Sequence, residues 1–212
     1  MALDLSLYRA FAFDFDGVIL DSMEYKFTTF ASLFSDYPEH LEEIDAYNRS
    51  QRGINRHLKF PHIYKHILRL PYNDEIGVAL GKEYGRRLEA NLAQCPLIPG
   101  IEEFLRSQSL PLFVASSSPS DEIIPILESK GIRQPFKEVF GHPTPKAEAL
   151  RRITRTLVLK PTQILFFGDA PADCRAAEES GTTFIAVTQE PEGFPSGTRS
   201  IQDFSMLMKK GS

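Results

Sequence analysis

The chain has no tryptophan, and only two of its 212 residues, Cys95 and Cys174, are cysteines. They form no CxxC pair and no zinc spacing. A disulfide framework and a structural zinc site are therefore excluded, and both read as free thiols in a reducing compartment. No run of about 18 apolar residues exists, so no membrane span is expected. An excess of positive charge is also missing. Twenty-four lysines and arginines face 28 aspartates and glutamates, for a net charge of -4, without the basic footprint of a nucleic-acid binder. The local cluster Arg151, Arg152 and Arg155 reads as a solvated helix face. The opening MALDLSLYRAF has an early Asp4 and lacks the long apolar core of a secretory signal, which makes the cytoplasm the expected location. No internal repeat and no low-complexity segment interrupts the chain.

What is present is a globular composition, 42% hydrophobic and 25% charged. Its length suits one large domain, or a core domain with a smaller insertion. Arg9 to Phe15 reads as a short buried strand. Residues 21 to 93 then lack strand-like patterning. They carry helical periodicity in Phe27, Phe30, Ala31 and Phe34, and again in Ile63, Ile67 and Leu70. Pro38, Pro61 and Pro71 are expected to punctuate this region into several helices, the last from Ala79 to Leu92. After Pro96, Pro99 and Gly100, strands and helices alternate. The expected strands are Leu112 to Ala115, Glu138 to Phe140, Ile164 to Phe167 and Thr183 to Val187. The expected helices are Ile101 to Gln108, Asp121 to Lys130, Lys146 to Leu157 and Pro171 to Ser180. Such alternation implies an α/β fold with a Rossmann-like three-layer parallel-sheet core. Residues 1–20 and 94–212 would form that core, and 21–93 an inserted helical cap.

Ligands of open α/β sheets bind outside the carboxyl ends of the strands, so the residues at those ends matter most. The first strand runs into Asp14 and Asp16, two apart and therefore on one side, followed by Gly17. Ser116, Ser117 and Ser118 follow the second expected strand, and Ser118-Pro119-Ser120-Asp121 resembles a capped helix start. Thr144-Pro145-Lys146 opens a helix with proline in its first turn. Gly168-Asp169 follows a later strand, with Asp173 close by near the start of the next helix. Three or four carboxylates of this kind suit a hard cation such as Mg²⁺, which shares phosphate oxygens with its protein ligands. Ser116 and the N–H groups after it can hold phosphate oxygens, and Lys146 supplies positive charge.

In their order, these residues resemble the motifs of the haloacid dehalogenase-like phosphohydrolase superfamily. Asp14-Phe15-Asp16-Gly17-Val18 is similar to its first motif, Ser116 to the second, Lys146 to the third, and Gly168-Asp169 with Asp173 to the fourth. The helical insertion after the first motif resembles the C1 cap of the branch that includes phosphoglycolate phosphatase and β-phosphoglucomutase. The resemblance implies that Asp14 is the nucleophile and forms an aspartyl-phosphate. It implies that Asp16 protonates the leaving oxygen and later activates water. Mg²⁺ would be held by Asp14, by the backbone carbonyl of Asp16 and by Asp169, with Asp173 orienting ligands from outside. Ser116 and Lys146 would stabilise the transferring phosphoryl group, with Ser117 beside them. An acid at position 16 favours phosphoryl transfer, because dehalogenase members lack one there.

Within the expected cap, Arg52-Gly53-Ile54-Asn55-Arg56 resembles a substrate loop of β-phosphoglucomutase, which makes Arg56 and Arg52 candidate substrate contacts. Lys26 stands where many relatives have histidine and would attract an anion. His57, His62 and His66 read as packing or surface residues. The leading expectation is a Mg²⁺-dependent phosphohydrolase acting on a small phosphorylated metabolite such as a sugar phosphate. A phosphomutase and a phospho-accepting signalling protein are the alternatives.

Overall fold

The computed structural model describes residues 3–92, 94–189 and 193–208. The chain divides into two compact units: residues through Asp21 together with those from Pro96 onward, and Ser22–Cys95.

The first unit is built on six parallel strands: β1 Ala10–Phe13, β2 Leu112–Pro119, β3 Phe136–His142, β4 Ile164–Gly168, β5 Thr183–Val187 and β6 Ser200–Ile201, in the order β3-β2-β1-β4-β5-β6. β1 lies in the middle and pairs with β2 (Phe13 beside Val114) and with β4 (Phe13 beside Phe167). Every residue of β1 is buried, as expected of a central parallel strand covered on both faces. Its sequence, Ala-Phe-Ala-Phe, uses the two-residue period to separate those faces. Ala10 and Ala12 share a cluster with Phe166, Ala149, Leu150, Ile153 and Ala177. Their small side chains accept two helices, α7 Lys146–Leu157 and α8 Pro171–Ser180. Phe11 and Phe13 face the other way. Phe13 stacks on Phe167 at 5.2 Å, and Phe104 and Phe204 close the cluster. Phe104 comes from α5 Ile101–Ser107, and Phe204 immediately precedes α9 Ser205–Met208.

The second unit is helical: α1 Met23–Ser32, α2 Leu41–Ser50, α3 Arg56–His62 and α4 Asp74–Leu92. An aromatic cluster joins α1, α3 and α4, with Phe30 stacked on Phe60 at 5.6 Å and edge-on to Tyr84 at 5.8 Å.

Several boundaries differ from the sequence expectation. β1 stops at Phe13, whereas β2 continues to Pro119, its pairing with β3 shifting register after Ala115. β3 spans Phe136–His142, longer than its apolar centre suggests. Helix α6, Ser120–Ser129, starts one residue early with Pro119 at its cap position and no side-chain cap bond; the Ser118 hydroxyl is engaged elsewhere. α4 begins at Asp74, five residues before Ala79, because Asn73 Oδ1 accepts the Ile76 N–H and nucleates the turn. Pro61 lies inside α3, and the chain passes directly into a wider π-helical stretch, Ile63–Leu68. A missing proline N–H disturbs the α-helical ladder without ending the helix when the widened turn re-pairs the backbone.

Candidate active site

The register of β1 with its neighbours places the key residues along one sheet edge. Just past β1, the Asp14 N–H donates to the Phe167 carbonyl at 2.8 Å. That anchors Asp14 beside Gly168 and the Asp169 that follows. On the other side, the pairing of Phe13 with Val114 brings the end of β2, with Ser116, to the same edge. Lys146 is the first residue of α7, entered from β3.

Asp14 is buried, and both its oxygens are occupied. Oδ1 accepts the Phe15 N–H at 2.7 Å and Oδ2 accepts from Lys146 Nζ at 2.7 Å. Lys146 also donates to Asp173 Oδ1, while Asp173 Oδ2 accepts the Ala170 N–H at 3.1 Å. Asp173, fully buried in the first turn of α8, thereby ties the helix start to the lysine. Burial pushes the Asp14 carboxyl up to about 7. Lys146 opposes that shift, and the charges of Asp173 and Asp16 add to it. Burial also raises Asp173, against Lys146 and with Asp169. For Lys146, burial works against the charge, but Asp14 and Asp173 outweigh it and raise the ammonium pKa.

Two glycines permit this crowding. Gly17 has φ +78°, and a Cβ there would collide with the Asp169 carboxylate. A Cβ on Gly168 would strike the side chain of Asp173.

The expected site residues of the first unit thus separate into two groups. Asp14, Asp169 and Asp173 each offer a carboxylate oxygen, all within 4.8 Å of one another, and all three residues are buried. Oxygen donors alone suit a hard divalent cation. When ionised, three carboxylates against one ammonium leave two negative charges in a site shielded from water, the charge that such a cation would balance. The residues present therefore fit Mg²⁺. Asp16 belongs to the second group: its carboxylate lies outside that trio, and Oδ2 accepts from the Ser118 hydroxyl at 2.9 Å. Ser116 is buried, its Oγ accepting the Ser118 N–H at 3.2 Å, and Ser117 is half-buried in the same segment. Sequence reading missed the Ser118–Asp16 bond. The two residues are 102 positions apart, and only the pairing of β1 with β2 unites them.

Lys26, Arg52 and Arg56 belong to the helical unit. The Arg56 guanidinium lies 4.9 Å over the Tyr84 ring, at the start of a helix whose cap residue Asn55 accepts the His57 N–H. Lys26 is half-buried on α1, and Arg52 lowers the pKa of Glu24, an effect smaller than that of Arg49, which bonds the same carboxylate. His62 stacks on Tyr47 at 4.2 Å, and His57 packs edge-on to Phe60 at 5.9 Å.

The central parallel strand thus ends in a buried carboxylate that meets a lysine and two further aspartates at one sheet edge. The chain belongs to the haloacid dehalogenase-like hydrolase family, whose model matches residues 11–187. A phosphoglycolate phosphatase of Pasteurella multocida (strain Pm70) is 26% identical over 202 residues, covering 87% of each chain. Among solved structures, a predicted phosphoglycolate phosphatase from Haemophilus somnus 129PT superposes with TM-score 0.76 at 20% identity, over 96% of this chain and 97% of the other. β-Phosphoglucomutase from Clostridium difficile gives TM-score 0.76 at 20% identity, over 94% of this chain and 93% of its own. No described helix is long and apolar enough to cross a membrane.

Proposed function

We propose that this haloacid dehalogenase-like phosphatase is a Mg²⁺-dependent phosphohydrolase of a small phosphorylated metabolite, working in the cytoplasm through an aspartyl-phosphate on Asp14. The observation that carries the reading is the Asp14–Lys146–Asp173 arrangement at the end of the central strand, with Asp16 held separately by Ser118.

A carboxylate oxygen of Asp14 attacks phosphorus as the ester P–O bond breaks, and Asp16 gives its proton to the departing alkoxide oxygen. Asp16, now ionised, takes a proton from the water that attacks the aspartyl-phosphate. Inorganic phosphate leaves and Asp14 is restored. Lys146, Ser116 and Ser117 hold the transferring phosphoryl oxygens. Mg²⁺, bound by Asp14, Asp169 and the Asp16 carbonyl with Asp173 orienting them, would neutralise phosphate charge that the carboxylates otherwise repel. Lys26, Arg52 and Arg56 of the helical unit are assigned to the rest of the substrate. Their charge suits an anionic or hydroxyl-rich metabolite.

The test is hydrolysis of p-nitrophenyl phosphate with Mg²⁺, followed by 2-phosphoglycolate, the substrate named by the Pasteurella relative. Asp14→Asn should lower kcat by at least about 10³-fold; retained turnover overturns the nucleophile assignment. With β-glucose 1-phosphate, release of free phosphate supports hydrolysis, whereas glucose 6-phosphate would favour the mutase.

A further inference from the structure

Within the helical unit, His66 follows His62 by four residues, a spacing that puts two side chains on one helix face. The structure brings them closer than the spacing requires. Their ring centroids lie 4.6 Å apart, with the ring planes tilted by 39°. Both residues are exposed. Among the described residues, no hydrogen bond or ion pair engages either imidazole. Burial therefore does not explain the pair, and no protein group uses its ring nitrogens.

The pair is also held in place. Tyr47 of α2 lies flat on the His62 ring, 4.2 Å away and 8° from parallel, which fixes the plane of that imidazole. His62 is the last residue of α3, and His66 lies in the π-helical stretch Ile63–Leu68 that continues it. The two rings thus face each other across the junction that follows Pro61, where the missing proline N–H interrupts the backbone ladder.

A neutral imidazole offers one nitrogen lone pair, and bonds of about 2.0–2.1 Å to zinc let one ion span two rings this close. Imidazole donors suit zinc, copper and nickel, whereas carboxylate oxygens suit magnesium. The pair is therefore chemically distinct from the Asp14, Asp169 and Asp173 trio. With two protein ligands, water completes the coordination, and exposed Lys65 and Arg69 nearby in the chain hold the affinity below that of a closed four-ligand site.

We propose that His62 and His66 form a two-imidazole site for a divalent transition ion of the zinc and copper class, which clips the end of α3 to the π-helical stretch. The site lies wholly within the helical unit and is independent of the phosphatase reading.

The test reads the two rings directly. The full chain, untagged and labelled with ¹⁵N-histidine, is titrated with Zn²⁺ and separately with Mg²⁺, and the imidazole nitrogen resonances are followed. With Zn²⁺ the His62 and His66 resonances should move together and saturate with one common Kd, while Mg²⁺ leaves both in place. His66→Ala should weaken the response of His62 at least about tenfold, and His62→Ala that of His66, because each loses the second arm of the chelate. Both positions are exposed, so the two variants are expected to fold, and either one suffices. A response confined to one ring, an unchanged Kd in the single variants, or the same shifts with Mg²⁺ overturns the site. Zn²⁺ should also raise the thermal midpoint of the wild type more than that of His66→Ala; equal rises overturn the clip.

Discussion

Among the described residues each unit buries one lysine, and the two lysines live in opposite surroundings. Lys146, in the sheet unit, touches two carboxylates and stands within an acidic cluster that holds its proton tightly. Lys59, in the helical unit, meets amide oxygens, an aromatic ring and another lysine, and holds its proton loosely. The same side chain is a counter-ion in one place and an uncompensated charge in the other. Burial penalises both, so the difference comes from their neighbours. Lys146 is surrounded by charges of opposite sign, whereas the partners of Lys59 are neutral groups and a like charge.

The strongest way to break this comparison is Lys146→Met. It leaves the buried Asp14 and Asp173 facing each other without a cation, and should cost about 3–5 kcal/mol in urea denaturation together with at least about 10³-fold in kcat. Stability close to wild type would mean that the acidic cluster needs no internal counter-ion.

Gly17→Ala should come next. It forces a Cβ into the Asp169 carboxylate at a positive φ, and should lose about 10²-fold in activity and 1–3 kcal/mol in stability. Full activity would show that Asp169 can move aside.

The pH dependence separates the units by sign. Asp14 has an ordinary value of 3.8 that the fold raises to about 7, so the folded state holds the extra proton between those values. Without divalent ions, stability should therefore fall as pH rises from about 4 to 7. Mg²⁺ should restore stability at neutral pH by binding the ionised form. Lys59 is lowered from 10.5 to about 8, so the unfolded chain holds the extra proton and its contribution to stability should rise between pH 8 and 10.5. Lys59→Met should abolish that rise and, at pH 7, be neutral or stabilising by about 1 kcal/mol, because it removes a buried charge that no carboxylate compensates. Denaturation curves from pH 4 to 10 check both signs. A marked loss of stability in Lys59→Met at pH 7 would make Lys59 a structural residue.

The smallest effects concern two helix ends. Val158, which closes α7, and Arg69, which closes the π-helical stretch, both adopt φ near +55° without being glycine (54° and 56°). Val158→Gly should stabilise by about 1 kcal/mol and Arg69→Gly by less, because a β-branched side chain suffers most in the left-handed region. Thermal melts would show this directly, and equal gains would remove the β-branching explanation.

Much of the sheet unit is legible in the sequence because its signals are local. The all-apolar β1, the amphipathic α7 and the glycine after α8 each announce themselves within a few residues. Asp14 and Asp16 are conspicuous because carboxylates follow a buried run. The helical unit is less legible. Pro61 reads as a break, yet a π-helical stretch follows it without a gap, and Lys59 looks like any surface lysine on a charged helix. Its burial depends on Asn48 and Phe30, which arrive from other helices.

By itself, the sequence determined the parallel α/β class, the helical insertion, and the acidic, serine and lysine residues at the strand ends, because hydrophobic period, turn residues and strand-end position are properties of short segments. Only the tertiary structure decided which carboxylates share Lys146, that Ser118 holds Asp16, and that Lys59 is buried without an acid. Those facts depend on contacts between residues far apart in the chain, where charge, burial and distance are set by packing.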